Sequence, residues 1–172
     1  CYAREHFTRL HLRILRGPKA ADETLSHIGF LHQCKKCPYR EEQPGLHSVS
    51  RTCPHCGEPL IPIGPLWLGK IAKDEIVSRL IEVAGSADLG TKKDVLKILQ
   101  TSRDEVPTSS FYDYHEIAKR LRCSPPGINI VLQRISAAGY PASRTHFCGY
   151  GIRTTAPLPV IYDAVRGDRT TE

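Results

Sequence analysis

The sequence has little of several features that most chains of its length carry. Its 172 residues include no methionine and one tryptophan. Because a translated chain begins with methionine, we interpret the sequence as a fragment or processed piece of a longer protein. Its longest apolar stretch, around residues 60–68, is interrupted by Pro62 and Pro65 and is too short to span a bilayer. A cationic leader followed by an apolar segment is also missing. We therefore expect a soluble protein without a membrane partner.

Four of the seven cysteines form two Cys-x-x-Cys pairs, Cys34 with Cys37 and Cys53 with Cys56. Tetrahedral zinc needs four donors about 2.3 Å from the metal, and two such pairs joined by a hairpin-length insert bring four thiolates together without strain. Gly57 follows the second pair, at a position of a zinc-binding turn that is often in the left-handed backbone conformation, which glycine tolerates best. The sequence thus predicts a zinc ribbon held by these four cysteines.

Four protein ligands leave no open position for a substrate or an activated water, so the predicted zinc is structural. Two disulfides or four unrelated thiols are the alternatives, and they fit poorly because this is not a short cysteine-dense secreted chain. Free thiols beside zinc suit a reducing compartment, and we expect a cytoplasmic protein. His55 is expected to be exposed. We assign no site to Cys1, Cys123 or Cys148.

The opening residues alternate apolar and polar side chains at Leu10, Leu12 and Ile14, which predicts a half-buried strand. The rest of the chain offers no obvious sheet for that strand. We therefore assign residues 1–30 to the end of an upstream domain.

Helical periodicity follows the ribbon. Apolar spacing predicts one helix over about 76–84 and another that begins at Thr91, where Asp94 completes a pattern like a capping box, and ends before Pro107. These helices form a connector over 70–106.

The next segment predicts two more helices and a hairpin. One helix covers about 112–121, and the other begins with Ser124 as N-cap and Pro125 at the first position. Strands are predicted over 142–147 and 152–155. This order is typical of a winged helix over 107–156, followed by a tail over 157–172.

The net charge of +6 is unevenly distributed. Residues 70–106 balance acids and bases, whereas 115–153 carry six lysines and arginines against Glu116 alone. Clustered cations bind phosphate oxygens, although a solvated helix or a protein-packing face would look the same. The candidate RNA contacts are Lys119, Arg120, Arg122, Arg134, Arg144, His146 and Arg153.

Four segments together resemble the C-terminal portion of the tRNA (guanine-N2-)-dimethyltransferase family. They are RGPKAADE at 16–23 leading to IGF at 28–30; the ribbon with GPLWLG at 64–69; YDYH at 112–115 with AKRL at 118–121 and SPP at 124–126; and AGYPASRTHF at 138–147. They follow the order of that family and cover most of the chain.

The resemblance implies an enzyme that methylates the exocyclic N2 amine of guanine at tRNA position 26. In such an enzyme a class I methyltransferase domain would bind S-adenosylmethionine and carry the catalytic acid. This sequence shows neither the glycine-rich loop of a cofactor site nor an Asp-Pro-aromatic run that would hold a flipped base. The implied fold is α+β: the last strand of that domain, a zinc ribbon over 31–69 and the winged-helix-like part. The implied partner is tRNA, the chain alone is expected to be inactive, and we expect a monomer.

Two other interpretations stay open. A complete, non-enzymatic zinc-ribbon and winged-helix protein that binds nucleic acid would also lack cofactor motifs. A structural domain whose basic face packs on an acidic partner is the third. Salt-sensitive tRNA binding would argue against the structural domain with an acidic partner.

Overall fold

The computed structural model describes residues 2–4 and 6–167 and shows a mixed α/β structure. The chain divides into two units: residues 10–69, and the described residues before position 10 together with those after position 69. None of the helices in this described part is long and apolar enough to cross a membrane.

The unit of residues 10–69 is built on one antiparallel sheet. Helix α1 (Pro18–Ser26) precedes strands β3 (Ile28–Cys34), β4 (Arg40–Pro44) and β5 (Leu60–Trp67). The first two strands of the chain belong to the other unit and are described below. The sheet order is β4-β3-β5, so β3 is central and β5 is an edge strand. This position suits β5, because Pro62 and Pro65 cannot donate to a second neighbouring strand.

A close approach in this sheet requires glycine at position 29. The pairing register between β3 and β5 shifts between Gly29 and Leu31. A Cβ atom on Gly29 would lie 2.4 Å from the Gln43 carbonyl oxygen and 2.5 Å from Leu68 Cδ1. The missing side chain therefore lets β4 and residue 68 approach β3.

The second unit starts with a short hairpin, β1 (Tyr2–Arg4) and β2 (Phe7–Arg9). It continues with α2 (Asp74–Ser86) and α3 (Lys92–Asp104), which pack against each other. The remaining elements are β6 (Tyr112–Asp113), α4 (Tyr114–Leu121), α5 (Ile128–Ala137), β7 (Ala142–Arg144), β8 (Gly151–Thr154) and α6 (Leu158–Arg166).

The main apolar core lies in this second unit, between helices α4 to α6 and a sheet of order β6-β8-β7. Its fully buried large side chains are Ile117, Val131, Ile135, Ile152, Ile161 and Val165. Asp113 caps α4 by accepting hydrogen bonds from the amides of His115 and Glu116 at 2.9 and 3.2 Å.

The strand predicted at the start of the chain is not formed. Residues 10–16 have no regular structure, and Leu12 and Ile14 are 82% and 89% exposed. No strand in the described part of the chain pairs with them, so the alternating pattern has no sheet to bury its apolar side.

Helix α5 begins later than predicted, at Ile128, with Gly127 as its N-cap residue. The ring of Pro126 disfavours helical backbone at Pro125, so the turn extends past both prolines. Thr91 does precede α3, but its side chain makes no capping hydrogen bond.

The C-terminal segment differs most from its prediction as a tail. Residues 158–166 form α6, which buries Leu158, Ile161, Ala164 and Val165 in the core. Residues 168–172 of that predicted tail, and Cys1, lie outside the described residues. Strand β7 ends at Arg144, three residues before the predicted end.

Candidate metal centre and basic surface

The structure brings Cys34, Cys37, Cys53 and Cys56 together, with all four sulfurs within 4.8 Å of one another. The Cys34–Cys56 and Cys37–Cys53 Sγ distances are 3.4 Å, and the Cys37–Cys56 distance is 3.9 Å. Sulfurs about 2.3 Å from a central zinc lie about 3.8 Å apart in a tetrahedron. These separations are far longer than a disulfide bond of about 2.05 Å, and all four thiols are free.

Two equivalent turns present the sulfurs. The Cys34 amide donates to the Tyr39 carbonyl oxygen at 3.0 Å, and the Cys53 amide donates to that of Glu58 at 2.8 Å. Each bond spans five residues. Gly57, with φ of 73°, provides the left-handed backbone predicted after the second pair.

The thiols perturb one another strongly. Burial raises the pKa of Cys34, but hydrogen bonds from the backbone amides of Cys37 and Lys36 and from neighbouring thiols outweigh it and lower this pKa to about 7. Burial and the other thiols raise the pKa of Cys37 to about 12. Ionisation of Cys34 is thus favoured, whereas a second thiolate at Cys37 is opposed. A divalent cation among the sulfurs would offset this repulsion between thiolates.

His55 lies outside the sulfur cluster. Its ring centroid is 5.3 Å from that of Tyr39, and its ring nitrogens are not part of the cysteine group. An ion pair between Lys36 and Glu58, with Nζ 3.3 Å from Oε1, links the two turns that carry the cysteine pairs. Both side chains are exposed, so this pair contributes little.

Four of the predicted RNA contacts are exposed. Lys119 and Arg120 lie in the last turn of α4, Arg122 follows that helix, and Arg144 ends β7. The Arg144 guanidinium donates to Asn129 Oδ1 on α5 at 2.9 Å. This bond ties the hairpin to the first turn of α5 and leaves other guanidinium donors for a ligand.

Arg134 is half-buried and has a structural partner. Its Nη1 donates to the Ala164 carbonyl oxygen in the last turn of α6 at 3.1 Å. The residue therefore connects α5 to α6, and only part of its donor capacity remains for RNA.

The side chains of His146 and Arg153 are buried, unlike those of the other candidates. The His146 amide and Nδ1 lie 2.5 and 2.6 Å from Glu105 Oε1, and Arg153 Nε lies 3.4 Å from Glu105 Oε2. The exposed fractions of the His146, Arg153 and Glu105 side chains are 1%, 4% and 5%. The surface role predicted for His146 and Arg153 does not fit this burial, because their polar groups face an internal carboxylate.

Sequence reasoning missed Glu105 as their partner. Its carboxylate also accepts a hydrogen bond from Thr145 Oγ1 at 3.1 Å. Glu105 stands about 40 residues before these partners and looks like one more charge after a helix, so no local pattern marks it.

Comparison with known proteins identifies the family of this chain. The family model for the N2,N2-dimethylguanosine tRNA methyltransferase matches residues 1–166. A tRNA (guanine(26)-N(2))-dimethyltransferase from Methanoregula boonei is 55% identical over 97% of this chain and 45% of its own length. The corresponding protein from Methanoculleus marisnigri is 48% identical, with the same shares covered. The chain thus spans less than half the length of these curated relatives.

A solved structure is also similar. Trm1 from Pyrococcus horikoshii, determined in complex with S-adenosyl-L-methionine, matches with a TM-score of 0.71 and 32% identity. The match covers 87% of this chain and 38% of that chain. The chain belongs to the N2,N2-dimethylguanosine tRNA methyltransferase family.

Proposed function

We propose that this chain is the C-terminal part of an S-adenosylmethionine-dependent methyltransferase that mono- or dimethylates the N2 amine of guanine at tRNA position 26. Within that enzyme the chain supplies a structural zinc site and a tRNA-binding surface. The match of nearly the whole chain to relatives named for this reaction carries the proposal. The four sequence segments that resemble this family lie within the matched region.

The zinc would be held by Cys34, Cys37, Cys53 and Cys56 as a closed site. The sulfur separations and the opposed charging of Cys34 and Cys37 support this ligand set. Such a site activates no water and contributes folding free energy instead. Its task is to join the end of β3 to the segment before β5, and so to fix the ribbon.

The tRNA-binding surface would lie on a winged helix formed by α4, α5 and the β7–β8 hairpin. The element order and the three-stranded sheet support this assignment. Four exposed cations, Lys119, Arg120, Arg122 and Arg144, would contact phosphates, with Arg134 contributing in part. Folded RNA is read mostly through its shape, phosphates and ribose hydroxyls, which suits a surface of separate cations.

S-adenosylmethionine, which supplies the methyl group, does not fit the residues described here. We find no strand followed by a glycine-rich loop, a helix and a downstream acid among residues 2–4 and 6–167. We therefore assign cofactor binding, base extraction and acceptance of the amine proton to other parts of the enzyme. The chain alone would bind RNA without catalysing methyl transfer.

Charge removal tests the surface. We expect the double variant Lys119→Ala with Arg144→Ala to weaken tRNA binding about tenfold and to reduce the dependence of affinity on salt, because two phosphate contacts are lost. Binding is measured by fluorescence anisotropy with labelled tRNA at several salt concentrations.

The matched control is Lys93→Ala with Lys97→Ala, which removes the same charge from exposed positions on α3, within the 70–106 segment whose acids and bases balance as a whole. The control should bind tRNA like the unsubstituted chain. Equal losses in both double variants would show that only net charge matters and would refute the proposed surface.

A further inference from the structure

Three aromatic rings meet where α4 begins. The His115 ring lies edge-on to Tyr114, with centroids 4.4 Å apart, and 5.6 Å from the ring of Tyr150. Tyr114 is buried, whereas His115 is exposed and Tyr150 is 48% exposed. The cluster therefore runs from the apolar core to the surface and ends in an aromatic ring open to solvent.

The backbone holds this exposed ring in place. The Tyr114 amide donates to the Tyr150 carbonyl oxygen at 3.3 Å, which joins the hairpin loop to α4. The next residue, Gly151, is closely surrounded: a Cβ atom there would lie 2.4 Å from Thr145 Cγ2 and 2.8 Å from Cys148 Sγ. On the other side, the Asp113 cap fixes His115 at the helix start. The backbone at Tyr150 is thus fixed, and its ring lies beside that of His115.

The surroundings indicate what would cover it. Lys119 lies four residues after His115 and is exposed, so it shares a face of α4 with the aromatic pair. Tyr150 beside His115, with a cation one helical turn after His115, matches a nucleotide, whose base stacks on an aromatic ring and whose phosphate binds a cation. An apolar partner would have no use for the cation.

We propose that Tyr150, supported by His115, is a stacking platform for one unpaired base of the bound RNA. This inference rests on the proposed function, because it assigns a subsite within the tRNA-binding surface. It adds a preference that the phosphate contacts lack: a base that is already unstacked, in a loop, bulge or junction, binds here, and a base inside a continuous duplex does not.

The test compares two RNA probes with the 172-residue chain: a short single strand of mixed sequence, and a blunt duplex that contains the same strand. We expect Tyr150→Ala to weaken binding of the single strand about tenfold, while duplex affinity stays unchanged. Tyr150→Trp should bind the single strand at least as well as the unsubstituted chain. Tyr150→Leu is the matched control, because it keeps an apolar side chain without an aromatic plane, and it should weaken binding as Tyr150→Ala does. Thermal melting should show that all three variants stay folded, since the ring is half exposed.

Two outcomes would overturn the inference alone. Unchanged single-strand affinity in Tyr150→Ala, or full affinity in Tyr150→Leu, would rule out stacking while salt-sensitive duplex binding left the proposed function intact. If the unsubstituted chain bound neither probe, the inference would fail, and binding of whole tRNA would decide whether the proposed function fails with it.

Discussion

Glu105 shows how a single buried carboxylate organises the second unit. It accepts from Thr145 Oγ1, from the amide and ring of His146, and pairs with Arg153. The neighbouring Val106 amide donates to Ser143 Oγ at 2.8 Å, and Arg153 donates to the Thr108 carbonyl oxygen. The segment after α3 is thereby tied to the hairpin.

We expect Glu105→Gln to destabilise the chain by about 1–3 kcal/mol at pH 7, because it leaves the buried donors of Arg153, His146 and Thr145 with an uncharged, weaker acceptor. The measurement is urea unfolding followed by circular dichroism. Glu82→Gln is the matched control: Glu82 pairs with Arg79 on the exposed face of α2, and its loss should change the free energy of unfolding by less than about 0.5 kcal/mol. Equal effects of the two substitutions would contradict the role of the buried network.

The same carboxylate makes stability depend on pH. Burial alone would raise the pKa of Glu105, but hydrogen bonds from the His146 ring and amide, and the charges of His146 and Arg153, lower it below its ordinary value of 4.5. The stabilisation is fully present above the unfolded pKa and is lost as pH falls through the lower folded pKa. The stability difference between the unsubstituted chain and Glu105→Gln should therefore shrink below about pH 4. A difference that stays constant with pH would contradict this account.

At the scale of elements, α6 is a structural part of the core. Ile161 on α6 is fully buried beside residues of α4 and α5. We expect Ile161→Ala to lower the free energy of unfolding by about 2–5 kcal/mol through lost burial and a residual cavity.

Ile130→Ala is the control for this prediction. It makes the same chemical change on the exposed face of α5, where Ile130 is 45% exposed, and should cost about 0.5 kcal/mol or less. A small effect of Ile161→Ala in the same unfolding experiment would mean that the C-terminal helix is dispensable.

The ribbon depends on its metal if the four cysteines bind zinc as proposed. Cys34→Ser with Cys53→Ser takes one ligand from each knuckle and should release zinc and unfold residues 28–67, because metal affinity and folding are coupled. Zinc content is determined by mass spectrometry and folding by amide hydrogen exchange.

Cys123→Ser with Cys148→Ser is the matched control, since both thiols lie in the other unit and outside the sulfur cluster. It should keep the zinc. Retained zinc in the Cys34→Ser, Cys53→Ser variant would reject the ligand set.

What the sequence could predict follows from how local each signal is. The cysteine pairs and Gly57 carry their geometry in their spacing, and the left-handed backbone at Gly57 is confirmed. The helical period of α2 to α5 is also local. By contrast, α6 has apolar residues at helical spacing that a proline-rich start obscured. The burial of His146 and Arg153 could not be predicted, because it depends on Glu105, which is distant in sequence.

At the scale of the whole molecule, the chain combines two units that differ in their structural content. One holds the cysteine cluster on a small sheet, and the other holds the main apolar core with exposed cations at α4 and β7. Among the described residues, neither unit contains the strand, glycine-rich loop and helix of a cofactor-binding fold. The chain spans 45% of the length of two curated relatives. Under the proposed function, the chain holds the RNA while methyl transfer takes place on other parts of the enzyme.

The most direct test is tRNA binding by the 172-residue chain at about 50 and about 200 mM salt, with zinc content determined on the same sample. The account predicts one zinc per chain and an affinity that falls steeply between the two salt concentrations. A chain that holds its zinc but binds no tRNA at either concentration would contradict the claim that this part of the enzyme holds the RNA.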